Sequence, residues 1–140
     1  MASFNKFNSF LEDLAEGAID LDTHTLKVYL SNAAPSAADD SVKTDLAEIT
    51  NENGYAAPLT CALSTSAETA GTYKLVLDDP SVITASGGTI GPFRYVVLYD
   101  DTHASDALIG WWDYGSEITL QDGETFTIDL DATNGVLQIS

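Results

Sequence analysis

Short runs in which apolar and polar residues alternate fill the second half of the chain, from residue 73 to residue 139. Alternation with a period of two is typical of a strand that buries one face. The run from Phe93 to Tyr99 differs because it is apolar on both faces apart from Arg94, and it predicts a strand in the middle of a sandwich. The alternating apolar positions are Tyr73, Leu75, Leu77, Phe126, Ile128 and Leu130.

Turn signals separate these runs. Gly87-Gly88 predicts a hairpin between residues 82–85 and 89–90, and Asn134-Gly135 predicts a final hairpin whose second strand contains residues 137–139. About eight strands with turns every 8 to 12 residues predict an all-β fold. We expect an antiparallel β-sandwich or jelly roll with one N-terminal α-helix.

The N-terminal segment carries apolar residues at helical spacing. Ser3 is placed as an N-cap and Gly17 as a C-terminal stop, so we predict an amphipathic helix over residues 4–16. The helix either docks on the sheet of its own domain or lies on a neighbouring subunit as an intersubunit arm. Residues 1–17 would then form the arm, and residues 18–140 a single β-sandwich domain. The four apolar positions of the helix are Phe4, Phe7, Leu11 and Leu14.

A long segment without strand periodicity follows the first predicted strand, which contains Leu26, Val28 and Leu30. From Ser31 to Ala57 the composition turns to small and polar residues, with a short helical turn predicted at residues 45–49. Loops of this length inside a compact domain are usually functional or mobile. We therefore expect this loop to be a surface for partner contacts.

The charge balance excludes two classes of partner. The chain of 140 residues has 22 acidic and five basic side chains, which gives a formal net charge of −17. Nucleic-acid binding requires Lys and Arg to displace condensed counterions, and anionic membranes require the same cations, so neither partner is expected. The acidity indicates either solubility or attraction to a basic protein surface or to divalent cations. Because neither an export signal nor a membrane span is evident, we expect synthesis in the cytoplasm.

The residues that could carry out chemistry are few. Cys61 is the only cysteine and lies in a predicted strand, which favours a small buried side chain over a nucleophile. His24 and His103 lie far apart, no hydrolase, zinc or phosphate-loop motif is present, and paired acids fall at turns. The segment from Asp129 to Gly135 partly matches a calcium loop, although a hairpin fits it better. We expect no enzyme activity and no cofactor.

Two neighbouring tryptophans stand in a predicted strand from Ala107 to Tyr114, which a separate short strand at residues 118–120 follows. Trp111 and Trp112 should place one indole on each face, mainly as core, although stacking on a sugar or an interface remains an alternative. Arg94, the only arginine, should be buried and paired with a carboxylate from the neighbouring run. The candidate partners are Asp113 and Glu117.

Four segments together resemble the capsid decoration, or cement, proteins of tailed bacteriophages. These segments are residues 2–7 (ASFNKF), 72–75 (TYKL), 88–95 (GTIGPFRY) and 108–115 (LIGWWDYG). The resemblance implies a β-rich structural virion protein that is made in the host cytoplasm. It would sit on the outside of the capsid and clamp neighbouring major capsid protein subunits, often as a homotrimer.

The predicted adhesive parts are the N-terminal helix, the 31–57 loop and a set of apolar and charged residues. A tail or fibre component is the alternative within a virion. A carbohydrate-binding or calcium-binding β-sandwich module is the alternative from another class, with Trp111, Trp112 and Asp129 as its candidate groups. The predicted interface residues are Phe4, Phe7, Leu11, Leu14, Trp111, Trp112 and Arg94.

Overall fold

The computed structural model of the protein describes residues 2–140. Within these residues lie ten strands, one α-helix and one 3₁₀ turn. The helix α1 is Asn8–Ala15, and the 3₁₀ turn is Lys43–Asp45. The strands are β1 Phe4–Lys6, β2 Leu26–Ser31, β3 Leu59–Cys61, β4 Leu63–Thr69, β5 Thr72–Leu77, β6 Ile83–Thr84, β7 Ile90–Asp100, β8 Leu108–Leu120, β9 Thr125–Phe126 and β10 Leu137–Ile139.

The strands form three antiparallel sheets. The largest has the order β1-β8-β7-β2-β3, the second has the order β10-β5-β4, and β6 pairs with β9. A single apolar cluster joins the five-stranded sheet to the three-stranded one, and it includes Leu30, Leu98, Ile109 and Leu75. The predicted fold class, an antiparallel all-β sandwich with one helix, is confirmed.

The central position of β7 explains why its sequence is apolar on both faces. Val96 and Leu98 face the cluster between the two sheets, whereas Val97 and Tyr99 face a second cluster on the outer side of the five-stranded sheet. Since β7 lies between β8 and β2, both of its faces are covered and both of its edges are paired. The prediction of a central strand is confirmed.

The N-terminus differs from the helix predicted over residues 4–16. Residues 4–6 form β1, with Phe4 opposite Trp112 in the ladder with β8, and the backbone N–H of Phe7 continues the pairing by donating to the Ile109 carbonyl at 3.1 Å. The helix therefore begins only at Asn8, after Phe7 in an extended conformation, and the prediction of Ser3 as N-cap is wrong. Sheet pairing of the backbone here outweighs the helical spacing of the side chains.

The end of α1 agrees with the prediction. The N–H of Gly17 donates to the Leu14 carbonyl at 3.3 Å, and the N–H of Ala18 donates to the Asp13 carbonyl at 2.8 Å. Together these two bonds form a Schellman motif, which needs a left-handed residue at the position of Gly17. The φ of +77° at Gly17 supplies it.

The helix docks on its own domain. Phe10 is 1% exposed and belongs to the cluster between the sheets, and Leu14 packs against the same cluster. Phe7, immediately before the helix, is fully buried on the outer side of the five-stranded sheet. Leu11, at 54% exposure, is the one large apolar side chain of α1 that points outward. The interpretation as an intersubunit arm therefore does not describe Phe7, which is part of the domain's core.

The long loop between β2 and β3 is tied to the domain at several points. The Tyr55 hydroxyl accepts a hydrogen bond from the Leu30 N–H at 2.8 Å, and the Ile49 N–H donates to the Leu30 carbonyl at 3.0 Å. Leu46 is buried in the outer cluster. The helical turn predicted at residues 45–49 lies instead at Lys43–Asp45, because the Asp45 carboxylate accepts the backbone N–H groups that precede the turn.

Two predicted hairpins have different partners in the structure. Strand β6 pairs with β9 rather than with residues 89–90, and β10 pairs with β5 rather than with the run that precedes it. Ile128 and Leu130 in that run are buried, although they lie outside any strand. Residues 118–120 are the end of β8 rather than a separate strand. Local turn signals mark where the chain bends, but packing on distant strands decides which edges pair.

Candidate functional site

A groove opens between β1, β8 and the segment that connects β9 to β10. Its volume is about 700 Å³, which lies within the range of small-ligand sites. We call it the aromatic groove because four aromatic side chains line it. The lining residues used below are Phe4, Val96, Trp112, Tyr114, Phe126, Ile128, Asp129, Leu130, Asp131 and Val136.

Strand β8 and the edge strand β1 build one wall of the groove. Trp112 and Tyr114 point to the same face of β8 because side chains alternate along a strand, and Phe4 lies opposite Trp112 with its ring centroid 5.1 Å away. Gly110 makes room for this arrangement. A Cβ at Gly110 would stand 2.3 Å from the Phe4 Cζ and 2.4 Å from the Asn5 carbonyl oxygen.

The other wall and the floor come from β7, β9 and the segment after β9. Phe126 packs edge-on against both Phe93 and Tyr114, with centroid distances of 5.0 and 6.0 Å. Tyr114 itself is 59% exposed, the most exposed large apolar side chain among residues 2–140. The floor is apolar and buried, and it consists of Val96, Ile128, Leu130 and Val136.

Two carboxylates lie on the wall formed after β9. Asp131 accepts hydrogen bonds from the N–H groups of Asn134 and Thr133 at 2.7 and 2.9 Å, and these bonds, with one from the Asn134 side chain, lower its pKa. This segment is therefore a turn capped by Asp131, and the hairpin predicted for it is wrong. Asp129 is exposed, and its carboxylate forms no hydrogen bond or ion pair within the described part of the chain.

The opposite face of β8 carries the other tryptophan and an ion pair. Trp111 packs on Phe7 with a centroid distance of 4.7 Å, so the two indoles lie on opposite faces as predicted. Arg94 binds Asp113 through two bonds of 2.8 and 3.1 Å, which confirms one of its two candidate partners. The bonds from Arg94 lower the pKa of Asp113. The Arg94 side chain is 38% exposed, however, so the prediction that it is buried is wrong.

The structure brings together only part of the predicted interface. Phe4 and Trp112 meet in the aromatic groove, and Asp129 lies on its rim. Sequence reasoning missed Tyr114, although the period of two along β8 places it on the face of Trp112. It also missed Phe126 as a wall, because no local signal shows where β9 packs. The predicted interface residues that lie outside the groove are Phe7, Leu11, Leu14, Trp111 and Arg94.

The histidine and cysteine side chains have structural surroundings. The Nδ1 atom of His24 lies 2.5 Å from an oxygen of Asp100, which is fully buried and also accepts the N–H groups of Thr102 and His103. Asp100 thus fastens the chain before β2 to the end of β7. Cys61 is buried in β3, and burial raises the pKa of its thiol to about 12. The expectation of a buried cysteine is confirmed.

Within residues 2–140, no group of three or more His, Cys, Asp or Glu side chains is arranged to hold a metal ion. None of the helices in the same range has the length and apolarity that crossing a membrane requires. Comparisons with protein-family models, with curated proteins and with solved structures give no match for this chain.

Proposed function

We propose that this chain is a non-enzymatic structural protein of a bacteriophage virion. In this proposal it binds the outside of the capsid and cements neighbouring copies of the major capsid protein. The support begins with the four segments that resemble decoration proteins. Three of them fall in β1, β7 and β8, which are neighbours in one sheet. The resembling sequence therefore belongs largely to one continuous structural unit.

The aromatic groove is the observation that carries the proposal. Interfaces concentrate their binding energy in aromatic and arginine side chains at a few positions, and scattered single apolar side chains are normal on any surface. Phe4, Trp112, Tyr114 and Phe126 instead gather at one opening, where Tyr114 is 59% exposed. Such an opening can receive a side chain from a capsid subunit.

The proposed contact surface differs from the one expected from sequence. Removing residues 1–17 would take away β1, Phe7 and Phe10, and hence part of the core. A capsid subunit can reach the exposed Leu11 on α1 and the aromatic groove without unfolding the domain. We therefore assign the adhesive role to the groove first and to Leu11 second.

Repetition and charge support attachment to a shell. A specific contact of standard size buries roughly 800 Å² on each partner. A homotrimer would make three such contacts at once, and this multivalency would strengthen binding through avidity. The excess negative charge of −17 would repel neighbouring particles if it faces outward. The proposed location is the capsid exterior, after synthesis in the host cytoplasm.

Binding to purified undecorated capsids tests this proposal, with sedimentation as the measurement. Wild-type protein should co-sediment with capsids to saturation. Tyr114→Ser should weaken binding roughly five- to thirtyfold, which corresponds to about 1–2 kcal/mol for an interface aromatic. Val82→Ser is the matched control because Val82 is 54% exposed and does not line the groove. Failure of wild-type protein to bind capsids at any concentration would refute the proposal.

A carbohydrate-binding module is the second candidate, and the aromatic groove favours it too. Trp112 and Tyr114 offer ring faces on which a sugar can stack. Asp129, whose carboxylate has no partner among residues 2–140, can accept a hydrogen bond from a sugar hydroxyl. Binding on a glycan array that is lost in Tyr114→Ser and Asp129→Asn would support this candidate over the capsid protein.

A further inference from the structure

The chemistry of the aromatic groove points to the charge of its occupant. Its walls combine aromatic rings with two acidic side chains, Asp129 and Asp131. The faces of Trp and Tyr rings attract cations through their quadrupole, and a nearby carboxylate adds direct attraction. An acidic occupant gains neither contribution, and a neutral polar occupant gains only a hydrogen bond to a carboxylate.

Within residues 2–140, every Lys and Arg side chain except that of Lys6 has a polar partner. None of them forms an ion pair with Asp129 or Asp131 within residues 2–140. The Lys74 ammonium lies near enough to Asp131 to act on its charge, and it donates to the Thr133 carbonyl at 2.9 Å. The remaining three are paired as Lys27 with Asp101, Lys43 with Glu48 and Arg94 with Asp113.

We propose that the aromatic groove binds a Lys- or Arg-bearing segment of a partner protein, with the cation held between the Trp112 and Tyr114 rings and the Asp129 carboxylate. The inference rests on the proposed function and names the chemistry of the capsid surface that the groove meets. The net charge of −17 favours the same occupant, because a strongly negative body attracts basic segments and speeds their association.

The shape of the groove fits a segment rather than a single ion. Its volume of about 700 Å³ exceeds the volume of one side chain, and Ala2, Ser3 and Phe4 line one side of it. Strand β1 lies at the edge of the five-stranded sheet, so its outer backbone groups have no neighbouring strand. An extended segment can lie along this edge while a basic side chain enters the groove.

The two tryptophans provide matched reporters for the test. In the Trp111→Phe variant the remaining indole lies in the groove, and in Trp112→Phe the remaining indole lies on the opposite face of β8. The probe is a blocked pentapeptide of alternating glycine and arginine, compared with its glutamine and glutamate counterparts. The fluorescence of the remaining tryptophan and the NMR resonance of its indole N–H are followed while the peptide is titrated in at two salt concentrations.

The arginine peptide should shift the indole signal of the Trp111→Phe protein and leave that of the Trp112→Phe protein unchanged. In the Trp111→Phe background, Asp129→Asn and Tyr114→Ser should each weaken binding roughly two- to fivefold, and added salt should weaken it further. Asp78→Asn is the control, since Asp78 is exposed and lies outside the groove.

Equal responses to the three peptides, or no response of the groove indole, would overturn the inference. So would binding of neutral sugars such as maltose or N-acetylglucosamine in place of the arginine peptide. The double variant Tyr114→Ser/Asp129→Asn, tested on capsids, separates the two proposals. Full capsid occupancy by this variant would contradict the groove inference and the adhesive role of the groove, but not attachment to the capsid. Peptide binding by the wild type without capsid binding would contradict the proposed function alone.

Discussion

Replacing Phe10 with alanine tests whether α1 is part of the domain or an arm. Phe10 is 1% exposed and lies in the cluster between the two sheets. A buried Phe→Ala change removes the transfer free energy of the ring and leaves a cavity, and together these effects lower the free energy of unfolding by about 3–5 kcal/mol. The free energy of unfolding of a whole domain is about 5–15 kcal/mol, so this loss should be easy to measure.

The matched control is Leu11→Ala on the same helix. Leu11 is 54% exposed, and alanine favours helix, so we expect a change within about 1 kcal/mol. Urea titration followed by circular dichroism gives both values from the transition midpoint and slope. A loss below 1 kcal/mol in Phe10→Ala, or equal losses in the two variants, would show that the helix does not hold the core together.

Changes at three single positions test other parts of the fold. Gly110→Ala should lower the free energy of unfolding by about 1–3 kcal/mol, measured by urea titration. The new Cβ would overlap the Phe4 ring and the Asn5 backbone carbonyl. Unchanged stability would contradict the packing of β1 on β8. Backbone N–H bonds, first that of Ser41, lower the pKa of Asp45 from its usual value. The stability advantage of wild type over Asp45→Ala should therefore be full above about pH 5 and shrink as the pH falls. An advantage that stays constant as the pH falls below about 5 would refute this. Cys61, with a thiol pKa raised to about 12, should react with iodoacetamide at pH 8 only as urea unfolds the protein, and stoichiometric labelling without urea would contradict its burial.

The strands could be predicted from sequence where the signal is local. Alternation of apolar and polar residues identified β5, and the run that is apolar on both faces identified β7 as central. A strand buried on one face alternates, and a strand buried on both faces is apolar throughout. The opposite orientation of Trp111 and Trp112 followed from the same period. For Arg94 the sequence left two candidate partners, Asp113 and Glu117, and the pairing of β7 with β8 places Asp113 within hydrogen-bonding distance.

The errors fall where distant packing decides the structure. Phe4 and Phe7 stand at helical spacing, yet Phe4 pairs with Trp112 on a strand and Phe7 bonds to Ile109. The 126–130 run has the period of a strand, but its pairing is confined to β9 and its later apolar residues are buried without a ladder. Turn dipeptides likewise gave no information on the partners of β6 and β10.

The candidate site was half predictable for the same reason. Trp112 and Tyr114 lie on one face of β8, which the sequence pattern contains. Their neighbours Phe126 and Asp131 reach the groove only through the fold of the segment after β9, and no local pattern specifies that fold. The groove depends on how the segment between β9 and β10 packs against β8, so only its β8 wall could be found by counting residues.

Imaging of phage particles with and without this protein is the strongest test of attachment to the capsid. We expect added density on the outer surface of the head, bridging adjacent copies of the major capsid protein, with the aromatic groove turned toward the shell. Density on the tail or its fibres, or identical heads in the presence and absence of the protein, would refute attachment to the capsid.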